Sequence, residues 1–512
     1  MDEGKGRCSM MGDPEFLEMV PFDEPEEEKN LSDLGNSQLF VEVYGRDLRW
    51  CASMPGSGWM WWDRNVWRPD GKKLVVRLAG QIAREWRERM PEVPPVLSEE
   101  RATKMKEEAI RRYNERRAAA EKRREALGKH AHKCESAGSI KSMVELATAH
   151  ARVAVEKDDW DADEWLVNTP DLTWDARTMQ TYEPKRADLI TRCAGVGASR
   201  EECPVWLRFL DRIMGGDQDM IAFLQRAVGY SLTGNTGEQC LFIAYGGGSN
   251  GKSTFMEVVQ HILGDYATTT QVATFVGRKE GGIPNDLAAL AGVRLVVCSE
   301  TPEGGGLDEG LVKAVTGGDL ISARFLNREF FTFKPRFKLW FLTNHKPIIK
   351  GADDGIWRRI RLVPFEQKIL DHEKDKGLPE KLKAEACGIM RWALEGLAEW
   401  RRIGLSPPAV VTEATAEYRK DMDILGGFLA DRCTMGDALV APNKDVYLAY
   451  KGWAEDQGLR VQSHKWLTRQ LLDRGYKQDP GRASGREWLG FSVLVPGKAP
   501  KPWGRPDQEI LY

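Results

Sequence analysis

The stretch 246–253, Gly-Gly-Gly-Ser-Asn-Gly-Lys-Ser, has the residue types and spacing of a loop that holds phosphates. An apolar run at 239–245 precedes it, and a run of helical character follows at 254–263. In such a strand, turn and helix, backbone N–H groups surround the phosphates, a lysine reaches the β- and γ-phosphates and a hydroxyl binds Mg²⁺. We therefore predict ATP and Mg²⁺ as cofactors, with Lys252 on the phosphates and Ser253 on the metal. The predicted nucleotide-binding residues are Gly246, Gly247, Gly248, Ser249, Asn250, Gly251, Lys252, Ser253 and Thr254.

Polar residues follow two later apolar runs, where strands should end. An NTPase needs an acid near the metal and the water, a polar group near the γ-phosphate, and a positive group for the transition-state charge. Glu300 is the candidate for Mg²⁺ binding and water activation, and Asn344 could hold the attacking water. Arg358 or Arg359 could be an arginine finger from a neighbouring subunit. A surface carboxylate, an asparagine turn and a solvated strand edge are the structural alternatives for these positions.

The elements that must position these side chains alternate between strand and helix through residues 205–368. Apolar runs at 239–245, 293–298 and 337–343 predict buried strands, and a hairpin is expected at 321–333. Alternation of this kind predicts an α/β fold with a mostly parallel sheet covered on both faces. Since parallel strands end at one edge, the loop and the polar residues should meet there.

Composition narrows the class of protein. The chain has 512 residues, enough for about three domains, and its 42% hydrophobic and 29% charged residues suit a folded globular protein. No apolar run reaches the ~18 residues of a membrane span, and no secretory signal is visible, so we expect a cytoplasmic protein with no membrane partner. The nine cysteines are scattered singly, which predicts neither a zinc site nor a disulfide framework.

The first 204 residues divide into two predicted parts. Residues 1–36 are acidic and predict a disordered tail, and residues 37–204 predict a mainly helical accessory or oligomerisation region. Trp59, Trp61, Trp62 and Trp67 could stack bases, but we favour a hydrophobic core for them. Residues 101–133 carry 12 bases and 5 acids. This charged helix could contact phosphates or be a solvated face with i,i+4 pairs, and both readings stay open.

Beyond residue 368 we expect a helical extension to 440, a winged-helix-like domain at 441–496 and a tail at 497–512. Helices at 446–457 and 463–474, followed by a hairpin to 493, are the parts of a winged helix-turn-helix. His464, Lys465 and Arg469 would lie on its second helix, and Arg482 and Arg486 on its wing. DNA contact and subunit packing are equally open as its role.

Taken together, the motifs of the central region resemble those of superfamily 3 helicases. They are Gly-Gly-Gly-Ser-Asn-Gly-Lys-Ser-Thr at 246–254, Val-Val-Cys-Ser-Glu at 296–300, Thr-Gly-Gly-Asp at 316–319, Phe-Lys-Leu-Trp-Phe-Leu-Thr-Asn-His-Lys-Pro at 337–347 and Asp-Gly-Ile-Trp-Arg-Arg-Ile at 354–360. More narrowly, the chain resembles the C-terminal helicase part of phage and plasmid primase-helicases, a group that includes the poxvirus primase-helicase. The resemblance covers most of the chain.

The resemblance implies an AAA+-like P-loop NTPase core at 205–368 and a DNA helicase that serves replication of a phage, plasmid or integrated element in the cytoplasm of a bacterial host. Such proteins form rings, usually hexamers, that move on single-stranded DNA, unwind forked DNA and bind ATP between subunits. Lys252, Ser253, Glu300 and Asn344 would act within one subunit, and Arg358, or less readily Arg359, on the neighbour's ATP. The hairpin at 321–333 would line the central channel. Its expected DNA-binding residues are Arg324, Asn327, Arg328 and Lys338, with Lys334 nearby.

Two departures from the family pattern matter. Ser299 precedes Glu300 where two adjacent acids are usual, and the first ~200 residues lack the zinc-ligand cysteines and paired acids of a primase. We therefore expect a separate primase or replication initiator as a partner. A primase-helicase with a divergent N-terminal primase, and a nucleotide-gated origin-binding platform without processive unwinding, are the alternatives.

Overall fold

The computed structural model describes residues 30–54, 56–276, 285–299, 305–325, 329–349, 351, 353–482 and 485–494. These residues form two compact units. The first contains the described residues up to Ala162 together with Arg186–Thr191. The second contains Asp163–Lys185 and the described residues from Arg192 onward.

The first unit combines helices with a three-stranded antiparallel sheet in the order β1-β2-β3. Helix α1 packs on α5, and α2 packs on both α4 and α5. In chain order the elements are α1 (Asp33–Tyr44), β1 (Leu48–Trp50), β2 (Trp59–Asp63), β3 (Val66–Pro69), α2 (Leu74–Glu88), α3 (Glu99–Ala102), α4 (Glu107–Cys134) and α5 (Ala137–Ala147).

The tryptophans of the β2–β3 hairpin belong to the interior of this unit. Trp59, Trp62 and Trp67 are buried, and Trp61 is half-buried. Trp62 and Trp67 meet edge to face, with ring centroids 5.4 Å apart. Large aromatic side chains bury more apolar area than any others, so they supply much of a small core. The core interpretation is confirmed, and these rings are not platforms for bases.

Ordered structure begins before the predicted boundary at residue 37. Asn36 lies within α1 and is buried, and its Oδ1 accepts hydrogen bonds from Trp86 Nε1 (2.8 Å), His130 Nε2 (2.7 Å) and Cys134 Sγ (3.3 Å). Burial lowers the pKa of His130 and raises that of Cys134. The predicted disordered tail included Asn36. Instead, the Oδ1 atom of this residue links α1 to α2 and α4 through buried hydrogen bonds.

The charged helix α4 carries ion pairs along its surface. Arg112, Arg117 and Lys129 each lie within 2.8 Å of a glutamate one turn away. Such pairs add about 0.3–0.5 kcal/mol each to a helix. They support the solvated reading, while phosphate contacts stay a prediction.

The second unit begins earlier than residue 205, where the sequence placed the start of the ATPase region. Val167, Ala194 and Cys203 share one hydrophobic core with Trp206 on α6. The antiparallel sheet β4-β5-β6 is therefore part of this unit. The first elements of the unit are β4 (Leu166–Asn168), β5 (Thr173–Asp175), β6 (Gln180–Tyr182), α6 (Pro204–Met214) and α7 (Gln218–Ser231).

A five-stranded parallel sheet lies at the centre of the second unit, in the order β13-β7-β12-β9-β8. The hairpin β10–β11 is a separate two-stranded antiparallel sheet. The elements are β7 (Leu241–Tyr245), α8 (Lys252–Leu263), β8 (Ala267–Gln271), α9 (Asn285–Ala288), β9 (Leu295–Ser299), α10 (Glu309–Gly317), β10 (Ile321–Ala323), β11 (Phe331–Phe333), β12 (Lys338–Thr343), α11 (Asp354–Trp357) and β13 (Ile360–Pro364).

Alternate residues of the central strands enter two different cores. Phe242 and Trp340 pack on one face with α6, α7 and α8, while Ile243 and Phe341 pack on the other face with α10. Side chains alternate across a strand, so a continuous apolar run marks a strand covered on both sides. The predicted α/β fold is confirmed.

The remaining elements complete the second unit. Helix α13 packs on α7 and α8, and α14 packs on β13. The last six elements have their own core and an antiparallel sheet in the order β14-β16-β15, which is the arrangement of a winged helix. The elements are α12 (Leu378–Ala384), α13 (Ala386–Ile403), α14 (Ala409–Met422), α15 (Ile424–Arg432), β14 (Cys433–Pro442), α16 (Asn443–Asp456), α17 (His464–Asp473), β15 (Gln478–Arg482) and β16 (Gly485–Val493).

This winged-helix module starts earlier than the predicted residue 441. Leu425 and Phe428 of α15 pack in the same core as Trp488 and Phe491 of β16. The module therefore begins at α15, and the helical extension is shorter than expected. In the part of the chain that the structure describes, no helix combines the length and the apolar character needed to cross a bilayer.

Candidate nucleotide-binding site

The predicted phosphate loop joins β7 to α8 at the carboxyl edge of the parallel sheet. Strand β7 lies between β12 and β13. The N–H of Gly246 donates to Thr343 O (3.3 Å) at the end of β12, and the N–H of Ile369 donates to Ser249 O (2.7 Å). Ligands of parallel α/β sheets bind outside the carboxyl ends of strands where the strand order reverses. The loop occupies such a place, because β8 and β13 lie on opposite sides of β7.

Glycines allow the loop its path and leave one side of it open. Gly248 and Gly251 have φ values of +92° and +83°, a region that side chains other than glycine rarely adopt. A Cβ at Gly251 would also come within 2.6 Å of Ile213 Cγ2. A Cβ at Gly247 or Gly248 would meet no atom within 4 Å, so this side of the loop is accessible. No side chain caps the start of α8, which leaves its first-turn N–H groups for an anion.

The amine of Lys252 lies inside this loop. The residue is 6% exposed, and its Nζ donates to Gly246 O (2.7 Å), Asn250 Oδ1 (2.9 Å) and Asn344 Oδ1 (3.1 Å). Burial lowers the pKa of Lys252 to about 8. All three acceptors are uncharged, so no described residue supplies a counterion to the ammonium group. A phosphate group could supply that negative charge.

The side chain of Asn250, one of the predicted loop residues, makes its hydrogen bonds within the protein. It is buried, its Nδ2 donates to Phe365 O (2.8 Å) just beyond β13, and its Oδ1 accepts from Lys252. The amide group therefore faces the protein and is not presented to a ligand. It positions Lys252 and ties the loop to the neighbouring strand.

The other predicted residues of the site differ in where they lie. Asn344, at the end of β12, is exposed apart from its bond to Lys252, so the structure brings these two residues together. Ser253 is exposed on the first turn of α8, and Thr254 is half-buried. Glu300 lies outside the described residues. Within the described ranges no cluster of three or more His, Cys, Asp or Glu could hold a metal ion.

The two candidate arginine fingers are in opposite environments. Arg358 is exposed at the end of α11. Arg359 is only 7% exposed, and it donates from Nε to Thr316 Oγ1 (3.1 Å) and from a terminal nitrogen to Gly355 O (2.5 Å). A side chain committed to its own subunit cannot reach a neighbour's nucleotide. Arg359 is therefore corrected to a structural residue, and Arg358 remains the candidate.

The predicted DNA contacts at the hairpin need one correction. Asn327 and Arg328 lie outside the described residues. Arg324 is half-buried, with its guanidinium 4.6 Å from the ring centroid of Phe330. Lys334 is exposed. Lys338 is wrong as a DNA contact, because it is 1% exposed.

Lys338 serves the interior of the fold instead. Its Nζ donates to Thr233 O and to Asn235 O (3.2 Å) beyond the end of α7, and it lies 4.6 Å from the ring of Tyr230. Burial, helped by nearby Arg294, lowers the pKa of Lys338 well below its ordinary range. Carbonyl groups beyond the end of a helix need donors, and the amine supplies them whether or not it is charged. Strand pattern alone does not show this, because a lysine that begins a strand is usually solvated.

The sequence did not predict that three basic residues of the winged-helix module lie together. Lys444, His464 and Arg486 line a single cavity of the winged-helix module. His464 and Arg486 were singled out separately, but Lys444 was not. The pairing of β14 with β16 brings the start of α16 near Arg486, and β14 was not expected from the sequence.

The sheet and the loop together define an α/β protein with a P-loop-like core. Residues 37–215 match the family described as D5 N terminal like, and residues 244–359 match a family of unknown function, DUF5906. "Putative helicase L207/L206" of Acanthamoeba polyphaga mimivirus is 33% identical over 242 residues, covering 44% of this chain and 25% of that protein. "Putative helicase 022R" of Frog virus 3 is 29% identical over 252 residues, covering 45% and 26%.

"Putative primase C962R" of African swine fever virus is 25% identical over 296 residues, covering 51% of this chain and 30% of that protein. The relatives that this chain resembles are thus named as putative helicases and a putative primase. The chain spans less than a third of the length of these relatives. The C-terminal region of NrS-1 aligns with 69% of this chain and 90% of its own at 12% identity, with a TM-score of 0.38, which is too low to support an argument.

Proposed function

We propose that this chain is an ATP-dependent DNA helicase of superfamily 3, a ring-forming motor that moves on single-stranded DNA and unwinds duplex during replication. One observation carries the proposal most strongly: Lys252 of the loop and Asn344 of the next strand meet at 3.1 Å at the carboxyl edge of the sheet. A lysine for the phosphates and an amide for the attacking water are thus side by side.

The proposed roles follow from position and charge. ATP would lie along the open side of Gly247 and Gly248, with its phosphates on the first-turn N–H groups of α8 and on Lys252. Mg²⁺ would be held by Ser253 and Glu300, and it supplies charge neutralisation to the phosphates when bound. Asn344 exchanges its bond to Lys252 for one to the attacking water, because the phosphates take over the ammonium group.

The charge that develops on the transferred phosphate calls for a second positive group beside Lys252. Lys252 is the cation of the loop, and Arg359 is committed to Thr316. We propose that Arg358 of a neighbouring subunit completes the site. Hexameric assembly is part of this proposal, as are single-stranded and forked DNA as substrates.

Hydrolysis and unwinding test the proposal directly. The wild-type chain should hydrolyse ATP faster with single-stranded DNA and displace a strand from a fork, and Lys252→Ala should lose both. Lys313→Ala is a suitable control. The Nζ of this lysine lies 2.9 Å from Asp353 Oδ2, and the residue is not part of the loop. A wild-type chain whose ATPase rate ignores every DNA, or a Lys252→Ala chain that still turns over, would refute the proposal.

Mixed assemblies test the shared site. Lys252→Ala and Arg358→Ala chains should each be inactive alone, and mixing them should restore part of the ATPase rate, since some interfaces then pair two intact halves. Native mass measurement of the same mixtures reports ring size. Absence of any recovery in rings that demonstrably contain both variants would place Arg358 outside the site.

A primase-helicase is the second candidate, because one group of relatives is named as primase. Primer synthesis on a single-stranded template by the wild-type chain would favour it over a partnership with a separate primase or initiator. The bacterial cytoplasm remains the proposed compartment, although the named relatives come from viruses of eukaryotes.

A further inference from the structure

The winged-helix module contains a cavity of about 450 Å³ where three of its elements meet. The walls come from the start of α16, the start of α17 and the beginning of β16. The lining residues are Pro442, Asn443, Lys444, Tyr447, Leu448, His464 and Arg486. Two of these side chains carry a permanent positive charge, a third can acquire one, and none is acidic.

The cationic side chains of this cavity lack carboxylate partners within the described residues. Lys444 and Arg486 are exposed, and neither forms a salt bridge with an acid in the described part of the chain. Arg432 and Arg469 of the same module do pair with acids, at 2.7 Å from Asp456 and 3.7 Å from Asp473. Two cations and a histidine thus line one cavity that has no acidic lining residue, which favours an anion there.

The walls of the cavity are held in place by buried contacts. Trp488 is fully buried, and its Nε1 donates to Asn443 Oδ1 (2.9 Å), which anchors the start of α16. The hydroxyl of Tyr447 donates to Gln462 O (3.3 Å), and its ring lies 5.0 Å from that of His464. No side chain caps α16, so its first-turn N–H groups add to the positive end of the helix. The site is thus arranged before any ligand arrives.

We propose that this cavity binds backbone phosphates of duplex DNA through Lys444, His464 and Arg486. In a helix-turn-helix the first helix crosses the DNA backbone, and the N-terminal residues of the second helix approach the groove. Lys444 and His464 occupy those two positions, and Arg486 follows the hairpin turn. The cavity is shallow and open, with Leu448 55% exposed at its rim, which suits a backbone that passes across it better than an enclosed nucleotide.

Two doubly substituted full-length chains with equal charge loss test the inference. The first carries Lys444→Ala and Arg486→Ala, and the control carries Lys383→Ala on α12 and Lys420→Ala on α14, both outside the winged-helix module. Fluorescence anisotropy measures their affinity for duplex DNA over a range of salt concentrations. All four side chains are exposed, so both proteins should unfold at the wild-type temperature. The slope of log affinity against log salt falls by about one for each phosphate contact removed.

The expected result is a slope lowered by about two and an affinity lowered at least tenfold for the first variant, with a change of at most about threefold for the control. Equal losses in both variants, or an unchanged slope in the first, would refute the inference. ATP that bound a Lys252→Ala chain through Lys444 and Arg486 would instead identify a free nucleotide as the ligand. If the wild-type chain showed no ATPase activity but kept this salt dependence of DNA binding, the proposed helicase function would be refuted and phosphate binding in the cavity would not.

Discussion

Raising the pH from about 7 to about 9 should weaken ATP binding roughly tenfold. Burial lowers the pKa of Lys252 to about 8. The ammonium form therefore falls from about nine-tenths to about one-tenth of the free protein over this interval. A lysine with the ordinary value of 10.5 would stay charged throughout. Phosphates have lost their last proton by about pH 7, so the ligand hardly changes.

The sign follows from which form binds the ligand. ATP prefers the charged amine, so binding above pH 8 takes up a proton, and the dissociation constant should rise about fivefold from pH 8 to pH 9. Titration of a fluorescent ATP analogue at constant free Mg²⁺ measures the constant. Calorimetry in two buffers of different ionisation enthalpy measures the proton.

Lys252→Arg is the matched control. A guanidinium group stays charged across this range, so the variant should not share the pH dependence, although its planar group fits the loop less well. A wild-type dissociation constant that stays level from pH 7 to 9 would refute the reasoning. An equal rise in the Arg variant would assign the effect to another group.

Four further substitutions separate structural from functional side chains. Lys338→Ala should lower the free energy of unfolding by about 2–4 kcal/mol, because Thr233 O and Asn235 O lose a donor and a cavity opens. The salt dependence of DNA binding should not change. A lower slope of log affinity against log salt in the folded variant would restore Lys338 as a DNA contact. Arg359→Ala should cost about 1–3 kcal/mol by chemical denaturation, whereas Arg358→Ala should change stability by less than about 0.5 kcal/mol while abolishing ATPase activity; the reverse pattern would exchange their roles. Asn36→Ala should destabilise the first unit by about 2–3 kcal/mol, since three buried donors lose their acceptor; ATP binding below the unfolding transition should stay normal, and an unchanged midpoint in thermal unfolding would contradict this.

The loop and its flanking elements were predictable because local sequence determines them. Strand β7 is a continuous apolar run, the glycines at 248 and 251 adopt positive φ, and α8 begins at Lys252. The meeting of Lys252 with Asn344 followed from the rule that parallel strands end at one edge. The sequence did not predict that Arg358 is exposed while Arg359 is buried. Neighbouring side chains point in different directions, and only the packing of α10 against α11 shows which one is buried.

Other features depend on distant partners and left no local signal. The sequence placed Asn250 among the nucleotide-binding residues of the loop. Its side-chain amide donates to Phe365 O, which is 115 residues away, and no local pattern shows this contact. The extent of the second unit depends on Val167 and Cys203 reaching the core around Trp206. Strand β14 contains Gly436 and Asp437 and shows little alternation, so its pairing with β16 depends on the finished module.

Strand β12 is fastened at both of its ends. At one end Lys338 holds the carbonyls that follow α7, and at the other end Asn344, one residue beyond the strand, holds the amine of Lys252. The strand's six residues span about 20 Å. Both ends of the strand are thus fixed, and binding or release of a phosphate would change the contact at Asn344. Within the described residues the hairpin β10–β11 forms no hydrogen-bonded pair with the large sheet, but Ile321 and Ala323 share a hydrophobic core with Leu339 and Phe341 of β12. In the proposed motor, a movement of this hairpin would therefore reach β12 through that core as well as through residues 334–337.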